Sequence, residues 1–263
     1  PAVSPSGDRL AFNATDPRSG KNDVWIRDLA RGVNSRFSLG AGNNYRPLWS
    51  PDGGTIVFSS DRGGTSDLYE KSARGPGEEK LLLHSEDFKF ASGWTRDGRY
   101  IGYSSQSAKS LWDAWALPTF GDRKPIPIVA GPFVEIQPVF SPDARFVAYS
   151  SNESGRAEIY VQTFPSAGGK WQVSSAGGVD PSWRGDGKEL YYRSPDQKLI
   201  AVEIKSAGEF QAGIPQPLFI LRLRPGNPRN KYLPAPDGQR FLVVAPLGRD
   251  SITPTTIVLN WFA

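Results

Sequence analysis

Apolar and polar residues alternate along this chain in short runs, four to a group, and the groups return in a steady beat. The clearest run is W49-S-P-D-G-G-T-I-V-F-S-S60. It reads as a strand end, a tight turn and a second strand. Pro51 sets φ at the first central turn position, Asp52 can bond its own backbone, and Gly53 supplies a position with φ > 0. The β-branched and aromatic residues that follow have strand chemistry, so the unit is a β-hairpin. Counting the slot of Asp52 along the chain gives Ser6, Asp52, Asp97, Asp143, Asp186 and Asp237, at intervals of 46, 45, 46, 43 and 51 residues.

Each interval holds four runs with strand character. The first enters the turn, as in Y45-R-P-L-W-S and I136-Q-P-V-F-S. The second carries Phe12, Phe58, Tyr103, Tyr149, Tyr192 or Val243 six residues after the slot. The third opens on an acid in D23-V-W-I, D67-L-Y-E, D113-A-W-A and E158-I-Y-V, and without it in L199-I-A-V-E-I and T256-I-V-L-N-W. The fourth is R36-F-S-L, K80-L-L-L-H, I126-P-I-V, W171-Q-V-S or L218-F-I-L. Four strands repeated six times predict an all-β six-bladed β-propeller of four-stranded antiparallel blades. Stacking such sheets buries both faces of each and leaves only short edges. The recurring aromatics Trp25, Tyr69, Trp115 and Tyr160, with Trp49, Trp94 and Trp183 at the turn entrance, are then packing between blades. Each ring contributes roughly 2 to 3 kcal/mol.

The expected organisation is a single domain over residues 1–263, with repeat units of about 1–42, 43–87, 88–133, 134–177, 178–228 and 229–263. Unit one has only Pro1 to Ser4 for its inner strand. Unit six stops at Trp261-Phe262-Ala263 without an outer strand, so the last blade is predicted to be incomplete and the chain a fragment of a longer one. Three departures stand out locally. Ala144 replaces the turn glycine, which requires another turn or a strained left-handed residue. S194-P-D-Q shortens a loop to a tight hairpin, and L221-R-L-R-P-G-N-P-R-N-K lengthens the last interval.

Composition narrows the function classes. With 12% aromatic residues, 28 Gly and 23 Pro, the chain suits a packed core with many turns. It has no Cys, which excludes disulfides, zinc-thiolate clusters and thiol nucleophiles, and no apolar run long enough for a membrane helix. The net charge of +4 is modest but uneven: beyond Phe210 stand Arg222, Arg224, Arg229, Lys231, Arg240 and Arg249 against Asp237 and Asp250. A solvated face explains this more simply than a basic docking patch for an acidic partner, and nucleic acid is not expected.

The S50-P-D-G-G-T-I-V-F-S-S-D-R, S141-P-D-A-R-F-V-A-Y-S-S-N and A235-P-D-G-Q-R-F-L-V-V strings, with their D-(L/I)-Y third strands, resemble the TolB-type (WD40-like) propeller repeat along the whole chain. The terminal T256-I-V-L-N-W-F-A also looks like the ends of bacterial membrane-anchored Ser/Thr protein kinases and some regulators. That resemblance implies an extracytoplasmic sensor or interaction module, periplasmic or at the cell surface, belonging to a larger bacterial protein.

In a propeller the blade-to-blade loops surround the mouth of the central channel, opposite the S-P-D-G turns. The positions six residues before the slots are Arg46, Ala91, Gln137, Asp180 and Lys231, with Asn44, Tyr45 and Glu135 beside them. Asn44, Tyr45, Arg46, Glu135, Gln137, Asp180 and Lys231 are therefore the candidate ligand-binding residues, a mixed-charge set suited to a peptide or polar small ligand; a hydrated channel without a ligand is the plainer alternative. No catalytic set is evident. The single His84 ends an outer strand, no G-x-S-x-G occurs, and the acids Asp23, Asp67, Asp113 and Glu158 occupy equivalent places on different blades, where shared strand-start hydrogen bonding explains them. A Ca²⁺ site through Asp61 and Asp67 lacks the spacing of an EF-hand. The chain is expected to be non-catalytic, to need no cofactor or metal, to bind a protein or peptide, and not to insert into a membrane. The alternative is the propeller of a prolyl-oligopeptidase-like protease, or a propeller hydrolase using channel carboxylates.

Overall fold

The computed structural model describes residues 1–107, 111–166, 168–206, 209–221, 223, 232–245 and 256–257. The first sheet is β1 (Ala2–Val3), β2 (Arg9–Thr15), β3 (Asn22–Asp28) and β4 (Asn34–Arg36). The second is β5 (Asn44–Trp49), β6 (Thr55–Gly63), β7 (Thr65–Ser72) and β8 (Lys80–Leu83). The third is β9 (Phe88–Trp94), β10 (Tyr100–Gln106), β11 (Asp113–Pro118) and β12 (Ile126–Val129), and the fourth β13 (Glu135–Phe140), β14 (Phe146–Ser151), β15 (Glu158–Thr163) and β16 (Lys170–Gln172). In the fifth, β17 (Val179–Trp183), β18 (Glu189–Arg193) and β19 (Lys198–Lys205) are followed by two short strands, β20 (Gln211–Ala212) and β21 (Gln216–Ile220), which both pair with β19. The sixth holds β22 (Tyr232–Pro234), β23 (Phe241–Ala245) and β24 (Thr256–Ile257). Apart from β21, strands pair with their sequence neighbours in antiparallel ladders, giving five complete blades and a partial sheet among the described residues. The chain divides into two compact units, Pro1–Pro138 and Val139–Ala263, with the boundary inside β13.

The repeating S-P-D-G turn closes by a shared device. Ser50 Oγ donates to Asp52 Oδ1 at 2.6 Å and accepts from Thr55 N at 2.9 Å, while Gly54 N donates to Asp52 Oδ1 at 3.0 Å. Thr95 with Asp97 and Ser141 with Asp143 repeat it. Ala144 adopts φ 57 where Gly53 has φ 65, so this turn accepts a left-handed alanine and keeps the hairpin. The S194-P-D-Q hairpin forms as predicted, with Gln197 N bonded to Ser194 O at 3.0 Å.

Each unit packs aromatic and branched residues between successive sheets. In the first unit Ile56, Phe58 and Tyr69 pack with Ala11 and Phe37, and Val57 and Leu68 pack with Ile101 and Tyr103. In the second, Ala148 and Ile159 pack with Leu190 and Tyr192. Two outer strands end earlier than the sequence predicts, at Arg36 and Gln172. The residue that follows turns inward in both cases: Phe37 and Val173 are buried and donate their amides back to Val24 and Ile159. Burial of an apolar side chain outweighs continuing an exposed edge. The unpredicted β20 follows from Phe210, whose ring is buried against Trp171 and Phe146 at 4.8 and 5.1 Å.

Candidate functional site

The inner strands carry the unusual backbone. Register breaks fall between Tyr45 and Leu48 and between Val179 and Ser182, and three residues at equivalent inner-strand positions are left-handed: Arg46 at φ 56, Gln137 at φ 60 and Asp180 at φ 59. A residue with a Cβ pays roughly 1 to 2 kcal/mol for that conformation. Bulges with such strain re-aim side chains and cluster at functional sites.

In the first unit Arg46 lies against one ring of an aromatic set. Its guanidinium lies 3.7 Å from the centroid of Phe90, Tyr45 stacks on Phe88 at 6.3 Å, and Trp112 packs T-shaped on Phe88 at 5.8 Å and tilted on Phe90 at 5.2 Å. Trp112 is fixed by its bridge to Val134 and by Glu135 N, which donates to its carbonyl at 2.7 Å. Tyr45, Phe88 and Trp112 are half-buried, and Leu111, next to Trp112 in sequence, and Phe133, next to its bridge partner Val134, are exposed. Burial pushes the Tyr45 hydroxyl above its ordinary pKa, so it remains a neutral hydrogen-bonding group.

The predicted ligand residues do not share one environment. Tyr45 and Arg46 are half-buried at the strand end. Asn44 is fully buried: its Oδ1 accepts from Arg62 at 2.8 Å and its Nδ2 donates to Asp23 at 3.3 Å. Glu135 and Gln137 are buried, and Gln137 N donates to Ser104 Oγ at 2.9 Å. In the second unit Asp180 is buried against Arg193 Nε at 2.9 Å, and its carbonyl accepts from Tyr232 at 2.6 Å. Lys231 lies outside the described residues, as do Arg222, Arg224, Arg229, Arg249 and Asp250 of the basic stretch.

The acid series ties the start of each third strand to the loop that leaves its blade. Asp23 accepts from Ser38 Oγ at 3.0 Å, Asp113 from Gly131 N at 3.2 Å, and Glu158 from Ser174 Oγ and from Gly177 N at 2.9 Å. Asp67 differs, since it holds Lys89 Nζ and His84 Nδ1, each at 2.7 Å. Its lysine is almost wholly buried, while the His84 ring is exposed. Asp61 bonds instead to the amide and side chain of Asn43, so Asp61 and Asp67 serve separate partners. Among the described residues no three potential metal ligands converge, and no Ser or Thr hydroxyl bonds to the His84 ring.

Residue types alone passed over Phe88, Phe90 and Trp112. Their only sequence signal is an aromatic at the start of an inner strand paired with one just before a third strand, which strand packing would equally produce.

Comparison with known proteins agrees with this architecture. Residues 1–118 match the family model described as the TolB beta propeller domain. The chain is 31% identical over 129 residues to Tricorn protease homolog 1 of Streptomyces coelicolor, covering 49% of this chain and 11% of that protein. It is 31% identical over 106 residues to the uncharacterized peptidase YuxL of Bacillus subtilis, covering 38% of this chain and 16% of that protein. The chain thus spans a small part of the curated relatives it matches. A putative TolB from Agrobacterium tumefaciens superposes with a TM-score of 0.68 at 20% identity, over 83% of this chain and 79% of that one. Over residues 1–118 the chain is thus similar to the TolB beta propeller domain, and its sheets are the four-stranded antiparallel blades of a β-propeller.

Proposed function

We propose that this chain is a non-catalytic docking module that binds a protein or extended peptide at the inner-strand end of its first unit. The observation that carries this reading is the left-handed Arg46, held over Phe90 and beside the half-buried Tyr45, Phe88 and Trp112. Aromatic faces and a guanidinium together suit a peptide, offering apolar contact area and a fixed donor for carbonyls or a carboxylate. In this reading the six repeats form a six-bladed propeller, and the module serves as the sensory or docking half of a larger bacterial protein outside the cytoplasm, such as a membrane-anchored kinase.

The test is selection from a random displayed-peptide library on the immobilised protein, with counter-selection on the Arg46→Ala/Trp112→Ala double variant. The reading expects peptides that bind the parent protein at least about tenfold more tightly than the variant, a difference of about 1.4 kcal/mol. A library that yields none, with circular dichroism showing both proteins folded, defeats it. A second reading rests on the curated relatives named protease and peptidase: the chain is the substrate-side propeller of a peptidase. The gene decides between them, because a hydrolase domain in the same polypeptide supports the peptidase and a kinase with a transmembrane helix supports the sensor.

A further inference from the structure

Of the three seams that carry a tryptophan before the turn, one departs from the others. Trp49 donates its indole N–H to Ala2 O at 3.0 Å, and Trp183 donates to Val139 O at 3.1 Å. Both carbonyls stand four residues before their turn slots, Ser6 and Asp143, so the second sheet's equivalent is Leu48. Trp94 does not reach it and instead bonds to Gly98 O of its own turn at 3.1 Å. Beside it, between the second and third sheets, lies a cavity of about 480 Å³ walled by Trp94, Leu82 and Ile101. That volume is in the range of small-molecule sites.

Opposite charges stand on its wall. Glu70 Oε1 and Arg123 Nη1 form a loose ion pair at 3.8 Å, longer than a hydrogen bond, and neither side chain makes a hydrogen bond among the described residues; Arg96 also lines the cavity. The neighbouring Asp52 and Asp97 are committed to their own turns through Ser50 and Thr95, each at 2.6 Å. Arg123 is left-handed, at φ 53, a conformation that needs a reason in a residue other than glycine. A simple anion on this wall meets Glu70, and a simple cation meets Arg123. A ligand with adjacent opposite charges satisfies both and leaves its apolar part for the indole face.

We propose that this cavity binds a small zwitterion of the α-amino-acid class, its ammonium on Glu70, its carboxylate on Arg123 and its side chain against Trp94. The site lies at the turn end of the sheets, so it stands or falls independently of peptide docking at the other end. The test is calorimetric titration of the protein with each of the twenty L-amino acids, repeated for any that binds with its N-acetyl and carboxamide derivatives. At least one amino acid is expected to bind saturably, and removing either charge to weaken it about tenfold or more. Glu70→Gln and Arg123→Gln are expected to have the same effect at an unchanged urea midpoint, and the ligand to shift the Trp94 indole resonance. No saturable binding at up to about 10 mM overturns the proposal. So does binding that ignores acetylation and amidation, which requires no variant to fold.

Discussion

The indole N–H of Trp49 donates to the carbonyl of Ala2 across 3.0 Å and so joins the inner strands of consecutive sheets. Arg9 covers the outer face of the same indole, its guanidinium 4.7 Å from the ring centroid. The tryptophan is therefore more than apolar filling. It adds a side-chain donor to a main-chain carbonyl of the neighbouring sheet, and Trp183 does the same for Val139 at 3.1 Å.

Trp49→Phe keeps the ring and removes the donor, leaving the carbonyl of Ala2 without this partner. The expected loss is about 1 to 3 kcal/mol, read as a lower urea midpoint at unchanged slope. A midpoint equal to that of the parent protein would show that water replaces the indole at no cost.

The buried Lys89 and Asp67 make a second test. Lys89 Nζ donates to Asp67 Oδ1 at 2.7 Å and to the carbonyls of Ser85 and Asp87 at 3.1 and 2.7 Å, with its side chain 1% exposed. Lys89→Met removes the buried cation from a carboxylate that is itself 2% exposed, leaving it only His84 Nδ1 and Ser85 N, and is expected to cost about 3 to 5 kcal/mol. The double variant Lys89→Met/Asp67→Leu removes both charges and should recover more than half of that loss. A double variant as unstable as the single one would place the cost in lost loop contacts instead.

Much of this architecture is legible in the sequence, because the same residue types recur at the same interval and each has a local physical reason. The turn slot, the aromatic six residues later and the acid of the third strand all occupy places that the repeat predicts. Asn44 shows where legibility ends: its position suggests a ligand contact, and only the structure reveals that Arg62 and Asp23 use its amide. The cavity at Trp94 was hidden for a related reason. Trp94 has the same residue type and place as Trp49 and Trp183, and the difference lies in which carbonyl the indole reaches. The turn end looks like pure scaffold when read from the repeat, yet it lines that cavity through Ser50 and Asp97.

Acid should weaken the fifth sheet through Asp186. Arg184 donates to both of its oxygens, at 2.7 and 2.8 Å, and holds its pKa at about 2 against an ordinary 3.8. A carboxylate whose pKa is lowered by folding adds stability above its unfolded value and loses it as pH falls through the folded one. The contribution is thus present above pH 3.8 and disappears towards about pH 2. Arg184→Gln is expected to return the Asp186 carboxyl titration, followed by NMR, towards 3.8, and to flatten the acid limb of the stability profile. An unmoved titration would assign the shift to the turn backbone.

The left-handed residues separate scaffold from function. Ala144 occupies the turn position that Gly53, Gly98 and Gly187 fill at φ 65, 76 and 76, so Ala144→Gly relieves strain at a site with no proposed ligand. A gain of about 0.5 to 1 kcal/mol is expected, the left-handed penalty less the extra chain entropy of glycine. Arg46→Gly relieves the same strain at φ 56 but removes the guanidinium over Phe90, so the two effects on stability oppose each other. If Arg46 is held there for binding, Arg46→Gly weakens selected peptides by about tenfold or more while its urea midpoint stays near that of the parent. Ala144→Gly gains stability and leaves peptide binding untouched. Equal effects of the two substitutions on binding would mean that the left-handed position at Arg46 is a feature of the strand bulge alone, with no part in recognition.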